Sequence, residues 1–434
     1  MPHLDPPPNV LDIARRLESA GFEAWCVGGA IRDALLGERH LDWDLATSAH
    51  PAAVREIFGA RSTIPVGIEF GTVGVLDRDG VMHEVTTFRR DVQTDGRHAK
   101  VEFGASLDDD LARRDLTINA IAYSPTRGEL RDPFGGQADI ERRVVRAVGD
   151  PDERMREDRL RALRAIRFAA RFGFELEAGT RGAIERSAPF LGRLSAERVK
   201  QEMDKTLEQV RRPSVALITW RDTGAFATLI PGLATATDET LSVPDFLAQP
   251  GSTRRPSRRT ERYAGLFAGL SAAEAGAVLG GLRAARQEIQ HVTAMVERWH
   301  SIGPEIERAT TRDTDPADAD VRRWVSAVGR LEIPSFARLV DGAWAARRAA
   351  GREAPPAAAV RRLYRRLLRS AFNDVVDLGG LAIDGDDLRR AGIPAGPRMG
   401  SILQALLAAV IADPSRNAAD WLLQEARRLQ ATGD

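Results

Sequence analysis

The chain has 434 residues, 43% hydrophobic and 29% charged, with 62 basic and 62 acidic side chains and a formal net charge of zero. That length implies two to four domains at roughly 100–200 residues each, and the composition excludes disordered and fibrous classes and a protein coated in positive charge. No apolar run approaches the roughly 20 residues of a spanning helix, the proline-rich opening MPHLDPPPNV has no export-signal pattern, and one cysteine, Cys26, excludes an internal disulfide, so a reducing cytoplasm is the expected setting.

In chain order, an amphipathic helix is predicted over Val10–Ala20 and an apolar strand over Ala24–Val27 running into Gly28-Gly29. A helix follows over Ala30–Leu36 and stops at Gly37. Leu41–Ala46 alternates apolar and acidic residues as a strand does, and Pro51–Phe58 reads as helix. Gly71–Leu76 and Val81–Phe88 are two strands joined through the turn residues Asp77 to Gly80. Leu111–Ala122 fits helix or strand by periodicity alone. After about Pro151 strand signals fade. Met155–Phe172 reads as one strong helix, followed by helices over Ala183–Arg186, Ala196–Val210 and Ser214–Thr223. Gln249–Thr260 (QPGSTRRPSRRT) is a linker by composition, and Gly351–Pro356 is a second, weaker boundary. From Ala357 the chain is helical again, with a Gly/Pro-rich insert over Gly392–Gly400. The fold class is therefore α+β: a small β-sheet head followed by a long all-helical part. Four segments are expected, at 1–150, 151–212, 213–356 and 357–434.

The strongest local signal is GGAIRD (Gly28 to Asp33) followed by Asp42-Trp43-Asp44. A strand, two glycines and a helix start can cradle a phosphate, because glycine lets the backbone approach and free N–H groups face the anion. Arg32 sits where it adds a charge-assisted fork. Residues two apart on a strand share a face, so Asp42 and Asp44 present two hard carboxylates to a magnesium ion bridging a triphosphate. A turn and a solvated strand face would look the same taken singly. A G-x-G-x-x-G dinucleotide pattern is absent. Glu84, on a neighbouring strand, is a candidate third carboxylate or an ordinary exposed glutamate.

Asp158 and Arg161 fall three apart on the predicted Met155–Phe172 helix, so they are expected on one face, continued by Arg164, Arg167 and Arg171 as a basic stripe. Leu160, Leu163 and Ile166 form the apolar stripe. One reading is an amphipathic helix with an ion pair. The other is base selection: adenine and cytosine share a donor–acceptor order on the pairing edge, guanine and uracil show the reverse, and a carboxylate beside a guanidinium matches only the first pair. A mismatched edge leaves buried polar groups unsatisfied, which rejects the wrong base.

Six ordered blocks resemble the class II tRNA nucleotidyltransferases (CCA-adding enzymes) and the related bacterial poly(A) polymerases of the polymerase beta superfamily. They are GGAIRDALLG with DWD, EVTTFRRDVQTDGRHAKVEF, ARRDLTINAIAY, DPFGGQADIERRVVRAVGDP, EDRLRALRAIRFAARFGF and SAERVKQEMDKTL. The resemblance implies a polymerase-beta-like catalytic head, a helical neck that recognises the base, a helical body and a tRNA-binding tail, elongated overall. It implies Mg²⁺ on Asp42 and Asp44, and triphosphate contacts from Gly28, Gly29 and Arg32. Arg114 would bind nucleotide, and Asp115 and Asn119 would support the ribose site. Asp158 and Arg161 would read the base, and Arg164 and Arg167 would hold base or phosphates. Asp91 to Lys100 would be a mobile loop whose TDGRH text looks like that of enzymes that add the final A. The implied partners are the tRNA 3′ end, ATP and CTP.

An A-adding enzyme, a poly(A) polymerase and a non-catalytic RNA-binding relic remain open at this level. Poly(A) addition to generic RNA is disfavoured by the lack of a strongly basic tail. A D-x-D glycosyltransferase would need parallel strands throughout. The tail text LAIDGDDL and GPRMGSIL resembles the family's C-terminal segment, where the Gly396-Pro397 turn either presents N–H groups to a phosphate or simply starts a helix. No His-Asp dyad of the metal phosphohydrolase type occurs, and His291 and His300 are expected to be ordinary helical histidines.

Overall fold

The computed structural model describes residues 4–38, 43–94, 99–248, 259–311 and 315–432. The chain divides into two compact units, Met1–Thr235 and Ala236–Asp434.

The first unit is built on a seven-stranded sheet of order β3-β4-β5-β2-β1-β8-β9. Its strands are β1 (Ala24–Val27), β2 (Asp44–Thr47), β3 (Thr63–Gly67), β4 (Thr72–Leu76), β5 (Met82–Thr87), β8 (Ala122–Ser124) and β9 (Glu129–Arg131). β1 pairs antiparallel with β2 and β8, while β2 runs parallel to β5. Helices α1 (Pro8–Ser19), α2 (Gly29–Leu35), α3 (Pro51–Phe58), α4 (Leu107–Ala112) and α5 (Gly136–Arg142) accompany the sheet. Trp25, Val27, Ala46, Phe88, Leu107, Leu111, Ala120, Ala122 and Val148 form one buried cluster. Val27 pairs with Asp44 and Trp25 with Ala46, so the face that buries this cluster also carries Asp44 at its strand end.

The Asp91–Lys100 segment departs from the expected loop. Strands β6 (Arg89–Thr94) and β7 (Ala99–Phe103) pair antiparallel as a separate ribbon, with Gln93 opposite Lys100 and Thr94 opposite Ala99. Residues 95–98 lie outside the described residues. The ambiguous Leu111–Ala122 stretch resolves into the end of α4, a 3₁₀ turn over Thr117–Asn119 and the start of β8.

The single helix expected over Met155–Phe172 is two helices, α6 (Pro151–Glu157) and α7 (Leu160–Phe172). Asp158 breaks it with φ −149° and ψ 107°. Its Oδ1 accepts the Leu160 amide at 3.0 Å, the local side-chain bond by which Asp competes with helix. Two short strands, β10 (Val144–Val145) and β11 (Glu175–Leu176), pair parallel beside α7. Helices α8 (Ala178–Ser187), α9 (Ala196–Gln209), α10 (Pro213–Asp222) and α11 (Ala225–Leu229) complete the unit.

The described part of the second unit is helical: α12 (Asp238–Ser242), α13 (Arg259–Leu266), α14 (Ala272–Gly281), α15 (Arg286–Thr311), α16 (Asp318–Val328), α17 (Ile333–Ala349), α18 (Ala357–Asn373), α19 (Gly385–Arg390), α20 (Pro397–Ala412) and α21 (Ala419–Ala431). Most of the predicted linker over Gln249–Thr260 lies outside the described residues, and its last two residues begin α13. Gly396 caps α20 as the Gly-Pro pattern predicts. His291 and His300 both lie on α15, facing Glu332 at 3.2 Å and the Leu270 carbonyl at 2.8 Å. No helix among the described residues is long and apolar enough to cross a membrane.

Candidate nucleotide-binding site

β1 delivers the chain to Gly28, which takes φ +76° before α2 begins. That conformation is closed to most side chains, and a Cβ there would also sit 3.0 Å from Arg114 Nη1. The turn therefore brings bare backbone to the wall of a cavity of about 480 Å³. Gly28, Gly29, Arg32 and Asp44 line it from the sheet side. Arg114, Asp115 and Asn119 line it from the segment between α4 and β8, and Asp158, Arg161, Arg164 and Arg167 line it from the α6–α7 region. The cavity thus collects every sequence-derived candidate except two. Asp42 lies outside the described residues. Glu84 is on the sheet face shared by Asp44, one strand over by the Leu45–Val85 register, and is not among the lining residues.

The described lining carries eight basic side chains against three carboxylates, which suits a polyanion. Most of the cations are held by named partners. Arg32, 4% exposed, donates to Asp33 Oδ1 at 2.7 Å and Asn119 Oδ1 at 2.5 Å. Its guanidinium also stacks over Phe168 and Phe172, 4.9 and 4.8 Å from their centroids. Burial lowers its pKa, and the Asp33 charge opposes that shift. Asn119 Nδ2 in turn donates to Asp115 Oδ1 at 3.0 Å, and Arg164 Nε donates to Asp115 Oδ2 at 2.7 Å. Burial alone would raise the Asp115 pKa, but the Arg164 charge and the Asn119 and Arg164 hydrogen bonds outweigh it and hold the value at about 2. Asp115 stays ionised and orients Asn119.

The proposed base readers are arranged otherwise than a shared helix face. The Asp158 carboxylate is met by Arg198 Nη2 of α9 at 2.6 Å. Arg161 donates to Glu157 Oε2 at 2.5 Å and to the Arg113 carbonyl at 3.0 Å. Nor do the α7 arginines form a free basic stripe. Arg167 is buried against Glu202 at 2.6 Å, Arg164 is held by Asp115, and Arg171 lies 3.7 Å from Asp33. Acidic groups far along the chain neutralise them, which spacing within the helix cannot reveal. The expected apolar stripe does pack inward, with Leu163 and Ile166 buried and Leu160 half-buried.

Sequence reasoning passed over Arg113, Phe168, Lys205 and Gln209, which also line the cavity, and Arg198, which holds Asp158. The signal for Arg198 was present in the SAERVKQE block, one of the six noted above, but no chemistry attached to it until the fold set α9 beside Asp158. For a metal, the described donor chemistry is a carboxylate oxygen, Asp44, the hard donor that Mg²⁺ and other hard divalent ions take. No group of three or more His, Cys, Asp or Glu able to hold a metal occurs among the described residues.

Residues 24–146 match the family described as the poly A polymerase head domain, and residues 173–237 match one described as a probable RNA and SrmB-binding site of polymerase A. The CCA-adding enzyme of Geobacillus kaustophilus is 37% identical over 96% of this chain and 97% of its own length. That of Latilactobacillus sakei is 34% identical with the same coverage. Among solved structures, the Bacillus stearothermophilus CCA-adding enzyme in complex with CTP aligns with a TM-score of 0.74 and 33% identity, covering 98% of this chain and all of that one. The Thermotoga maritima CCA-adding enzyme complexed with tRNA shares the fold at a TM-score of 0.67 and 21% identity, covering 97% of this chain and 94% of that one.

Proposed function

The chain belongs to the CCA-adding enzyme family, and from that membership we propose how its own residues extend a tRNA. It is a nucleotidyltransferase that adds C, C and A to the tRNA 3′ end from CTP and ATP without a nucleic-acid template. The observation that carries the mechanism is one cavity lined by Asp44, the Gly28-Gly29 turn and the Asp158–Arg161 region together.

Catalysis in this family uses a divalent metal, and here we assign it to Mg²⁺ held by Asp42 and Asp44. When bound, the ion supplies charge stabilisation for the triphosphate and activation of the attacking 3′-hydroxyl. The chain's own residues do the rest. The Gly28-Gly29 backbone receives the triphosphate at close range, and Arg32 and Arg114 bring positive charge to it. Asp115, ionised and bonded to Asn119, sets Asn119 against the ribose. Glu84, beside Asp44 on the sheet face, is the third carboxylate that would position the metal or the attacking hydroxyl.

Asp158 and Arg161 offer an acceptor and a donor to the pairing edge of C or A, backed by Arg164 and Arg167. Asp158 is paired with Arg198 of α9, so taking a base means exchanging or sharing that partner. The α6–α9 region then acts as the neck, and the remaining helices as body and tRNA-binding tail.

The test offers a tRNA truncated before its last three nucleotides with CTP alone, ATP alone, or both, and sequences the products. Two C additions with CTP and a terminal CCA with both are expected. Open-ended A-tailing would replace this reading with poly(A) addition, and a single A on CC-ended tRNA only would replace it with A addition.

A further inference from the structure

Asn119 lines the nucleotide cavity with a side chain that is held from both ends. Its Oδ1 accepts from Arg32 Nη1 at 2.5 Å, and its Nδ2 donates to Asp115 Oδ1 at 3.0 Å. A guanidinium can only donate and an ionised carboxylate can only accept. The two partners therefore lock the amide in one of its two orientations. An amide nitrogen carries two protons and Asp115 takes one, so in this orientation the other is a donor for a sugar hydroxyl.

Arg32 is itself positioned by α7. Phe168 and Phe172 lie four apart on that helix, share a face, and stack with centroids 5.9 Å apart and planes 6° from parallel. The Arg32 guanidinium rests on both rings, 4.9 Å from the Phe168 centroid and 4.8 Å from that of Phe172. Arg32 is 4% exposed and Phe168 6%, and a cation–π contact is strongest when desolvated. Phe168 also carries Arg164 and Arg167, at 5.5 and 4.3 Å, so a change there disturbs three cavity cations at once. Phe172 is not among the residues lining the cavity, yet it reaches Asn119 in two steps: ring to guanidinium, then guanidinium to amide.

We infer that Phe172 is a positioning residue for sugar selection. By holding Arg32, it keeps the Asn119 amide turned so that its free proton meets the 2′-hydroxyl of the incoming nucleotide. The helix that carries Arg161 is thereby coupled to the sugar position in the head. This rests on the reading of Asn119 as the residue set against the ribose.

The test measures kcat/KM for CTP and for dCTP on tRNA lacking its CCA end. It compares wild type, Phe172→Leu, Phe172→Tyr, Asn119→Ala, and the double variant Asn119→Ala, Phe172→Leu. Wild type is expected to prefer CTP. A loosened Asn119 loses a bond that only CTP can make. Phe172→Leu should therefore lower kcat/KM for CTP and spare that for dCTP, cutting the preference by about fivefold, a loss in the range of one desolvated cation–π contact. Phe172→Tyr keeps the ring and the wild-type preference. The double variant should be no less selective than Asn119→Ala alone, because both changes act on one bond. A lost phosphate contact or partial unfolding would lower both nucleotides equally and leave the ratio as it was. An unchanged ratio in Phe172→Leu beside a lowered one in Asn119→Ala, or additive losses in the double variant, overturns the inference. A wild type without preference, or an unchanged ratio in Asn119→Ala, would refute the ribose reading instead, so the two failures are distinguishable.

Discussion

Arg164 Nε lies 2.7 Å from Asp115 Oδ2, joining α7 to a segment 49 residues earlier in the chain. Asp115 also accepts from Asn119 and from the Leu116 amide at 2.9 Å. One ion pair therefore ties α7 to the segment between α4 and β8, and both line the same cavity.

Removing one partner of this pair leaves a largely buried charge, which is strongly destabilising. Arg164 is 31% exposed, so water screens part of the loss. Arg164→Ala is expected to cost about 1–3 kcal/mol of unfolding free energy, seen in denaturant melts. It should also raise the CTP KM more than the tRNA KM. A variant with wild-type stability would show that the pair is solvated.

The same pair predicts a pH dependence. The folded-state pKa of Asp115 is about 2, below its ordinary value, so the ionised form favours folding. Its contribution is complete above the unfolded-state value near pH 4 and is lost as pH falls toward 2. The stability difference between wild type and Asp115→Asn should be flat from pH 8 to about pH 4 and shrink below it. A difference that instead grew on acidification would contradict the assignment.

Gly28→Ala places a Cβ at φ +76°, 3.0 Å from Arg114 Nη1. Backbone at φ +76° and ψ −128° costs a non-glycine residue roughly 1–3 kcal/mol, and Arg114 must shift. Nucleotide KM should rise while the tRNA KM holds. Calorimetry with CTP would check this, and unaltered affinity would remove the turn from the triphosphate site.

In the proposed reading, Asp158 and Arg161 set nucleotide choice. Either changed to alanine should lower discrimination for CTP and ATP over UTP and GTP by about 10²-fold or more, because the readout relies on unpaired polar edges. Arg198→Ala should raise the KM of both correct nucleotides, because the Asp158 carboxylate loses the partner 2.6 Å away that positions it. Unchanged selectivity in Asp158→Ala would shift base recognition elsewhere.

The head was legible because its signals are local. Ala24–Val27 and Pro51–Phe58 form as predicted, bounded by Gly28 and by Pro51 at a helix start. The gathering of Gly28, Arg32, Arg114, Asp115, Asn119 and Asp158 around one cavity followed from family motifs rather than from periodicity. The break at Asp158 was not legible. Helical periodicity runs straight through it, and what ends α6 there is a tertiary pair with Arg198, 40 residues on, plus a local bond to the Leu160 amide. The neutralised α7 stripe failed for the same reason: Glu202 meets Arg167 from 35 residues away.

The most direct measurement is single-turnover extension by Asp44→Ala of a tRNA lacking its CCA end, alongside tRNA affinity measured on the same protein. Extension should fall by at least about 10²–10³-fold, the loss typical of removing one group that stabilises developing charge, with tRNA affinity within twofold of wild type. Extension at the wild-type rate would contradict the account, because no phosphoryl transfer in this cavity would then depend on the carboxylate at its wall.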